Sequence, residues 1–351
     1  MVASNMASWQ LTYFVHIAVL LILSLSACQT YCRILPEADM LERHAQWMAA
    51  HGRVYSDDSE KEQRFKIFEE NVERIEYLNS NGNRTYKLSV NKFADQTNEE
   101  FQAARNGYKS LSKPVKFSDA SSFFKKHENV TAVPASMDWR KKGAVTPIKD
   151  QGRCESCWAF SAVAAMEGIT KIKTGKLISL SEQELVDCDI KGLNNGCNRG
   201  FSEEAFKFIQ QNKGLTTETR YPYKGVDGTC NSKKVASHAA QISGYENVPS
   251  NSEKALLKAV AGQPVSVAID AGGSDFQFYS SGVFTGKCGK NLDHEATAVG
   301  YGVTKGGTMY WLVKNSWGTS WGERGYIRME RDVSSKEGLC GIAMDASYPT
   351  A

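Results

Sequence analysis

The apolar positions of the chain fall into three spacings, and each predicts a different kind of element. Residues 14–25 read FVHIAVLLILSL, an unbroken apolar run followed by the small residues Ser26 and Ala27. A membrane span needs about 18 such residues or more, so the run fits a secretory signal peptide over residues 1–27, cut between Ser26 and Thr30. No Lys or Arg precedes it, which keeps an uncleaved anchor as the alternative. Residues 38–105 repeat apolar positions at i, i+3 and i+4: Met40, Trp47 and Met48 on one helix, then Phe65, Phe68, Val72, Ile75 and Leu78 on the next. This spacing predicts a small amphipathic helical unit. Residues 106–132 lose the period and become rich in Ser and Lys, predicting an extended, protease-accessible linker.

From Val133 the pattern changes again. CWAFSAVAAMEGITKI, SEQELVDC, SEEAFKFIQQ and the stretch Ala255 to Ala261 read as helices; VSVAID, ATAVGYG, MYWLVKNSW and GYIRME read as strands between Gly-rich turns. A helical half followed by a strand-rich half is an α+β arrangement with room for a cleft. No internal repeat occurs, and the glycine-rich stretches follow no nucleotide-loop pattern.

Charge narrows the partners. The formal net charge is +3, and from Val133 onward 26 basic residues face 23 acidic ones. That is too weak an excess for nucleic-acid or membrane-surface binding. Two sequons, at Asn83 and Asn129, both precede Val133, so any sugar on them would leave with an excised leader.

Cysteine usage supplies the candidate chemistry. Of nine cysteines, Cys28 and Cys32 flank the signal-cleavage region, leaving Cys154, Cys157, Cys188, Cys197, Cys230, Cys288 and Cys340. An odd number of cysteines in an exported protein leaves one thiol after three disulfides. Cys157 opens a helix whose apolar stripe runs through Trp158, Ala159, Phe160, Val163, Ala164 and Met166, and a helix N-terminus favours a thiolate. Two other readings stay open: Cys157 as a disulfide partner, and Cys154 with Cys157 as a redox or zinc C-x-x-C pair, although no second Cys/His pair follows.

A thiol nucleophile needs a base. Of six histidines only His238 and His294 follow Val133. His238 lies in a polar Lys/Ser stretch, the setting of a solvated surface residue. His294 follows Asp293 and precedes an apolar strand, a better place for a general base at a cleft wall. Asn315, after the strand YWLV and before Trp317, can fix the tautomer of an imidazole while the indole shields that bond from water.

These residues carry a resemblance. The blocks QGRCESCWAFSAVAAMEG, LSEQELVDC, LDHEATAVGYG and YWLVKNSWGTSWGERGYI resemble those of the papain-like cysteine proteases, from about residue 38 to the C-terminus. The resemblance implies a two-domain fold, a helical domain facing a β-barrel-like domain, preceded by a small helical inhibitory prodomain. It implies Cys157 as nucleophile, His294 as base and then acid, Asn315 as the orienting amide, and Gln151 as an oxyanion donor beside the Cys157 backbone N–H. The bridges implied are Cys154 to Cys197, Cys188 to Cys230 and Cys288 to Cys340. No metal or cofactor is expected. Peptide or protein substrates are expected, with the chain's own propeptide and cystatin-like proteins as inhibitors, in a monomer that holds no membrane segment after signal cleavage.

The leader resembles the family's propeptide as well. Glu60, Arg64, Phe68, Asn71, Ile75 and Asn79 match its interspersed helix motif, and Asn91, Phe93 and Asp95 the motif that follows, with Ser89 where the family usually has Gly. By resemblance the linker crosses the cleft backwards. Residues 28–132 would then be the propeptide and 133–351 the mature domain, with acidification as the expected trigger of cleavage near Val133. The blocks look most like plant members, which points to the vacuole, a lysosome-like compartment or the extracellular space; the ending SYPTA carries no ER-retrieval tetrapeptide.

Three charged residues depart from the family pattern where small ones are usual: Glu155, Arg199 and Glu295. Glu155 and Arg199, near Gly200, are expected to flank the site for the substrate residue before the scissile bond and to meet as an ion pair. A non-glycine residue forced to positive φ there would be strained. Glu295 is expected to line a second pocket with Phe201, Ser202, Ala268, Leu292 and Asp345, next to Trp317, giving tolerance for a basic side chain. Its charge is also expected to favour the imidazolium of His294. An active endopeptidase is therefore the main reading, and a protease-shaped binding or decoy protein with a cleft narrowed by these three residues is the alternative.

Overall fold

The computed structural model describes residues 38–108 and 132–351. The apolar run at 14–25, Cys28, Cys32, the sequon at Asn129 and most of the linker lie outside the described residues. The chain falls into two compact units, Met1–Glu70 and Asn71–Ala351.

In the first unit, helix α1 (38–51) is followed by the start of α2 (Asp58–Ser80). Buried His44 sits among Trp47, Tyr55, Phe65 and Phe68, with ring centroids 5.0–6.1 Å apart. The start of α2 is closed by reciprocal bonds: Asp57 Oδ1 accepts from the Glu60 N–H at 2.9 Å, and Glu60 Oε2 accepts from the Ser56 N–H at 2.8 Å. Asp57 thus satisfies one of the free N–H groups of the helix start, and Glu60 holds the residue before it while its carboxylate meets the positive end of the dipole.

In the second unit, two asparagines of the propeptide motif tie α2 to the chain after it. Asn71 Nδ2 donates to the carbonyls of Ala94 (2.9 Å) and Gln96 (3.0 Å), and Asn79 exchanges two bonds with the backbone of Leu88. The helical reading of 38–105 needs one correction. Tyr86–Leu88 is a strand, β1, paired antiparallel with β5 (Tyr279–Phe284). Three residues carry too little pattern to announce a strand whose partner lies almost two hundred positions away. Helix α3 (Asn98–Arg105) then opens on a capping box between Thr97 and Glu100.

The helical lobe is built on α4 (Cys157–Thr174), with α5 (Glu182–Cys188) and α6 (Ser202–Gln211) against it. Trp158, Val163, Met166, Leu185, Phe206 and Ile209 form its core. Because α4 is apolar almost all round, it is buried along most of its length. It ends at Gly175, whose φ of 75° supplies the left-handed turn that closes the last carbonyls.

The strand-rich lobe holds β3 (Gly244–Asn247), β4 (Val265–Ile269), β5, β6 (His294–Val303), β7 (Met309–Lys314), β8 (Tyr326–Glu330) and β9 (Ala346–Thr350). Their order is β1-β5-β8-β7-β6-β4-β9-β3, and β2 (Met137–Asp138) pairs with β6. The four strands read from sequence sit together at β4, β6, β7 and β8. Helix α4 lies against β6, where Ser161 Oγ donates to the Ala296 carbonyl at 2.6 Å. That bond joins the helix bearing Cys157 to the strand bearing His294.

Candidate active site

Cys157 is the first residue of α4 and is fully buried. The preceding Ser156 does not cap the helix; its hydroxyl is engaged with Tyr223 at 2.7 Å. Cys154 is bonded to Cys197, Cys188 to Cys230 and Cys288 to Cys340, which leaves Cys157 as the free cysteine among the described residues. The redox or zinc reading of the C-x-x-C pair falls, because Cys154 takes its sulfur partner from another segment.

His294 is the first residue of β6, and Asn315 directly follows β7. The antiparallel register pairs Thr297 with Lys314, so both residues emerge at the same end of the sheet. His294 Nε2 lies 2.8 Å from Asn315 Oδ1, and that oxygen also accepts from the Ser316 N–H at 2.8 Å. The Ser316 N–H identifies that atom as the amide oxygen, which carries no hydrogen and can only accept, so the proton sits on Nε2 and Nδ1 is the basic atom. The Trp317 indole, buried, lies 4.6 Å from the imidazole centroid and covers the pair.

Gln151 is equally buried and held from several sides. Its backbone N–H donates to the Ser316 carbonyl at 2.8 Å, its Oε1 accepts from Ser316 Oγ at 2.6 Å, and its Nε2 donates to the Cys154 carbonyl at 3.0 Å. The same Nε2 donates to the Arg105 carbonyl at 3.1 Å. The side-chain amide therefore already holds a peptide oxygen.

That oxygen opens a strap which sequence reasoning placed only approximately. The crossing begins at Arg105, the last residue of α3, one residue before the expected linker. The Gly107 carbonyl accepts from the Gly200 N–H at 3.1 Å, the Tyr108 N–H donates to the Asp293 carbonyl at 3.1 Å, and Asn106 Nδ2 donates to Asp293 Oδ2 at 2.9 Å. Gly107 is thus held to the helical lobe, while Asn106 and Tyr108 on either side of it are held to Asp293 of the strand-rich lobe. Phe93 and Phe101 pack on Trp317, with centroids 6.1 and 5.1 Å away, and Asn91 Nδ2 donates to the Gln277 carbonyl at 2.8 Å. Arg74 and Arg84 both pair with Asp275 at 2.8 Å.

Enclosure sets the charge state of the centre. Burial, then the neighbouring Glu295 carboxyl, push the Cys157 thiol up to about 12, against the backbone groups of Glu295, Gly107 and Trp158. Burial also brings the His294 imidazole down to about 4, against the pull of Asn315 and the Arg105 backbone. Arg105 is close enough to favour the charged ring, yet Nδ1 reaches no hydrogen-bond geometry among the described residues. Between those values the thiol and the imidazole are both neutral, which is a resting state.

The three departures behave differently from expectation. Glu155 and Arg199 form no ion pair with each other among the described residues; the Glu155 N–H donates to Cys197, and the Arg199 carbonyl accepts from Asn195. Neither they nor Glu295 adopts positive φ, so no backbone strain arises. Glu295 turns inward, with Oε1 accepting from the Ser202 N–H at 3.1 Å and Oε2 from Ser266 Oγ at 3.3 Å. Burial first, then the nearby Asp345 carboxylate, raise it to about 8. Rather than promoting the imidazolium, it opposes ionisation of the thiol. Gly200 is small for a local reason: a Cβ there would lie 2.4 Å from the Trp158 ring.

A carboxyl whose folded-state pKa is raised stabilises the fold below its unfolded value, and that contribution is lost as pH climbs to the folded value. For Glu295 the window runs from about 4.5 to about 8. Replacing it with the neutral isostere, Glu295→Gln, is expected to raise the precursor's Tm at pH 8 by roughly 3 °C and to change it much less at pH 5. Calorimetry at the two pH values checks this, and equal shifts at both would count against a retained proton.

Comparison with known proteins follows the same geography. Residues 133–350 match the model for papain family cysteine proteases, and residues 44–101 that for the cathepsin propeptide inhibitor domain. A senescence-specific cysteine protease of Arabidopsis thaliana is 58% identical, across 90% of this chain and 91% of its own length. Vignain of Ricinus communis is 58% identical, over 86% of this chain and 83% of its own. Among solved structures, a recombinant stem bromelain precursor is similar with a TM-score of 0.80 and 48% identity, covering 89% of this chain and 99% of that one. The proform of a ragweed pollen cysteine protease gives 0.82 and 44%, covering 90% and 94%.

Proposed function

Because the chain belongs to the papain family of cysteine proteases and is a cysteine endopeptidase made with an inhibitory propeptide domain, we propose a residue-level account of how it works and how it is held inactive. Cys157 is the nucleophile. His294 Nδ1 takes the thiol proton, the sulfur adds to the substrate carbonyl carbon, and the carbonyl oxygen becomes an oxyanion bonded by Gln151 Nε2–H and the Cys157 N–H. Collapse of that intermediate breaks the C–N bond, and the imidazolium returns its proton to the leaving amine. Water, deprotonated by His294, then releases the acyl group and restores the thiol. Asn315 keeps the imidazole tautomer and aim through Nε2, and Trp317 keeps water from that bond.

The observation that carries the account is the Arg105 carbonyl on Gln151 Nε2 at 3.1 Å. A peptide oxygen resting on an oxyanion donor is what a bound substrate would present. Here the peptide is the chain's own, and it fills the position that a substrate would take. The reading of residues 28–132 as the propeptide and 133–351 as the mature enzyme, with cleavage near Val133, is supported by the strap and by the family matches at 44–101 and 133–350. Export through the secretory pathway rests on the run at 14–25, with a vacuole or the extracellular space as destination; Asn83 is exposed and open to glycosylation. Cystatin-like inhibitors would occupy the same cleft in a monomeric enzyme. Glu155, Arg199 and Glu295 leave the His294–Asn315 bond in place, and the decoy reading finds no support.

Purified precursor incubated at mildly acidic pH with a reductant is expected to cleave itself near Val133, to hydrolyse peptide substrate and to bind a thiol-directed probe. The Cys157→Ala precursor is expected to do none of these. Equal peptide hydrolysis by the two proteins would overturn the assignment of Cys157.

A further inference from the structure

Tyr108 sends its side chain into a pocket of the enzyme, and the cavity it fills has an unusual floor. Its ring meets Phe201 edge-on at 5.2 Å and packs with Ala268 and Leu292, with Leu193 and Met344 at the margin. At the far end its hydroxyl donates to Asp345 Oδ2 at 2.7 Å. Asp345 does not stand alone: the buried carboxyls of Glu203 and Glu295 lie close enough to act on one another and on it.

Three carboxyls in a dry site cannot all be ionised. Glu295 is raised to about 8 and Glu203 well above its ordinary range, in each case first by burial and then by the other acids. Burial and mutual repulsion favour the protonated forms of these two, and the floor offers the Asp345 oxygen to a neutral donor, as it does to the Tyr108 hydroxyl, rather than a cage for a cation. The expectation of a basic occupant came from counting charges without their environment. The walls supply apolar contact to any aromatic ring, whereas the Asp345 oxygen distinguishes rings that carry a donor from rings that do not. An acceptor left unfilled in such a site is costly, which is how an enzyme rejects an analogue lacking one hydroxyl.

We propose that this pocket is a tyrosine-selecting subsite for peptide substrates, in which Asp345 reads the phenolic hydroxyl and the buried Glu203 and Glu295 carboxyls beside it disfavour a cluster of charge. Tyr108 occupies it in the precursor as an internal copy of the preferred side chain. The proposal rests on the reading that the strap lies where substrates bind. Gly107 is next to Cys157, so the subsite takes the second residue on the acyl side of the scissile bond.

The test uses enzyme processed from the full precursor and a peptide series differing only at that residue: tyrosine, phenylalanine, leucine and arginine. The kcat/KM for the tyrosine peptide is expected to exceed that for phenylalanine by about tenfold, and the ratio is expected to fall to about one in Asp345→Ala. Phenylalanine or arginine matching tyrosine in the unaltered enzyme overturns the proposal, which does not depend on any variant folding. Persistence of the preference in Asp345→Ala also overturns it. Cys157-dependent cleavage of the leucine peptide reports on the catalytic reading by itself, so a flat series with intact turnover removes only the subsite, while absent turnover of every peptide removes both.

Discussion

Adding one methyl group at residue 107 is expected to expose the active-site thiol while the propeptide is still attached: Gly107→Ala should raise the rate of Cys157 alkylation in uncleaved precursor at pH 7 by about a hundredfold. A Cβ on Gly107 would lie 1.8 Å from the Glu155 carbonyl oxygen and 2.6 Å from its carbon. That backbone cannot yield easily, since the Glu155 N–H is bonded to Cys197 and the adjoining Cys154–Cys197 disulfide fixes the loop. The strap must lift instead, releasing the bonds to Gly200 and Asp293. The remaining anchors are untouched, among them Asn91 on Gln277, Arg84 on Asp275, and Phe93 and Phe101 around Trp317. A thiol with a pKa of about 12 is ionised to roughly one part in 10⁵ at pH 7. Admitting water lowers that value and admits the reagent, both in the same direction, so a hundredfold gain is a modest claim. Mass spectrometry of iodoacetamide-treated Gly107→Ala precursor measures it, and unchanged labelling would mean that the strap is not what closes the site.

The second large effect concerns the base. His294→Ala, processed in trans by unaltered enzyme, is expected to lower kcat/KM by about four orders of magnitude, because the thiol then has no group to take its proton and the leaving amine none to supply one. Asn315→Ala is expected to cost less, about ten- to a hundredfold and mainly in kcat, since it removes the partner that fixes the tautomer and leaves the imidazole present. The comparison is informative because the two residues share one hydrogen bond yet differ in whether they touch the transferred proton. Asn315→Ala as damaging as His294→Ala would show that tautomer control, rather than proton transfer, limits the reaction.

Much of the fold was legible along the chain. The helix that opens at Cys157 could be read because its apolar stripe is long, and the strands β4, β6, β7 and β8 because each is a continuous apolar segment between turns. The strand Tyr86–Leu88 was not legible, since its stability comes from pairing with β5 and from the Asn79 bonds to Leu88. The proposed catalytic residues were chosen by residue type and position, with His238 set aside on its polar surroundings alone. Tyr108 offered no signal in a stretch of Ser and Lys, and the inhibitory role of the Arg105 carbonyl lies in the backbone, which every residue shares.

The order of residues by itself determined which groups exist to do chemistry: an odd thiol at a helix start, a histidine and an amide at strand ends, and a leader of separate composition. Those facts depend on local spacing, and local spacing is written in the chain. Tertiary structure alone decided their state. Only folding shows that Glu155 and Arg199 pass each other by, that Glu295 turns inward to sit at about 8 beside Asp345, and that Cys157 and His294 are both neutral beneath residues 105–108. Charge in a protein is set by burial and by neighbours far away in sequence, and neither is visible until the chain has closed on itself.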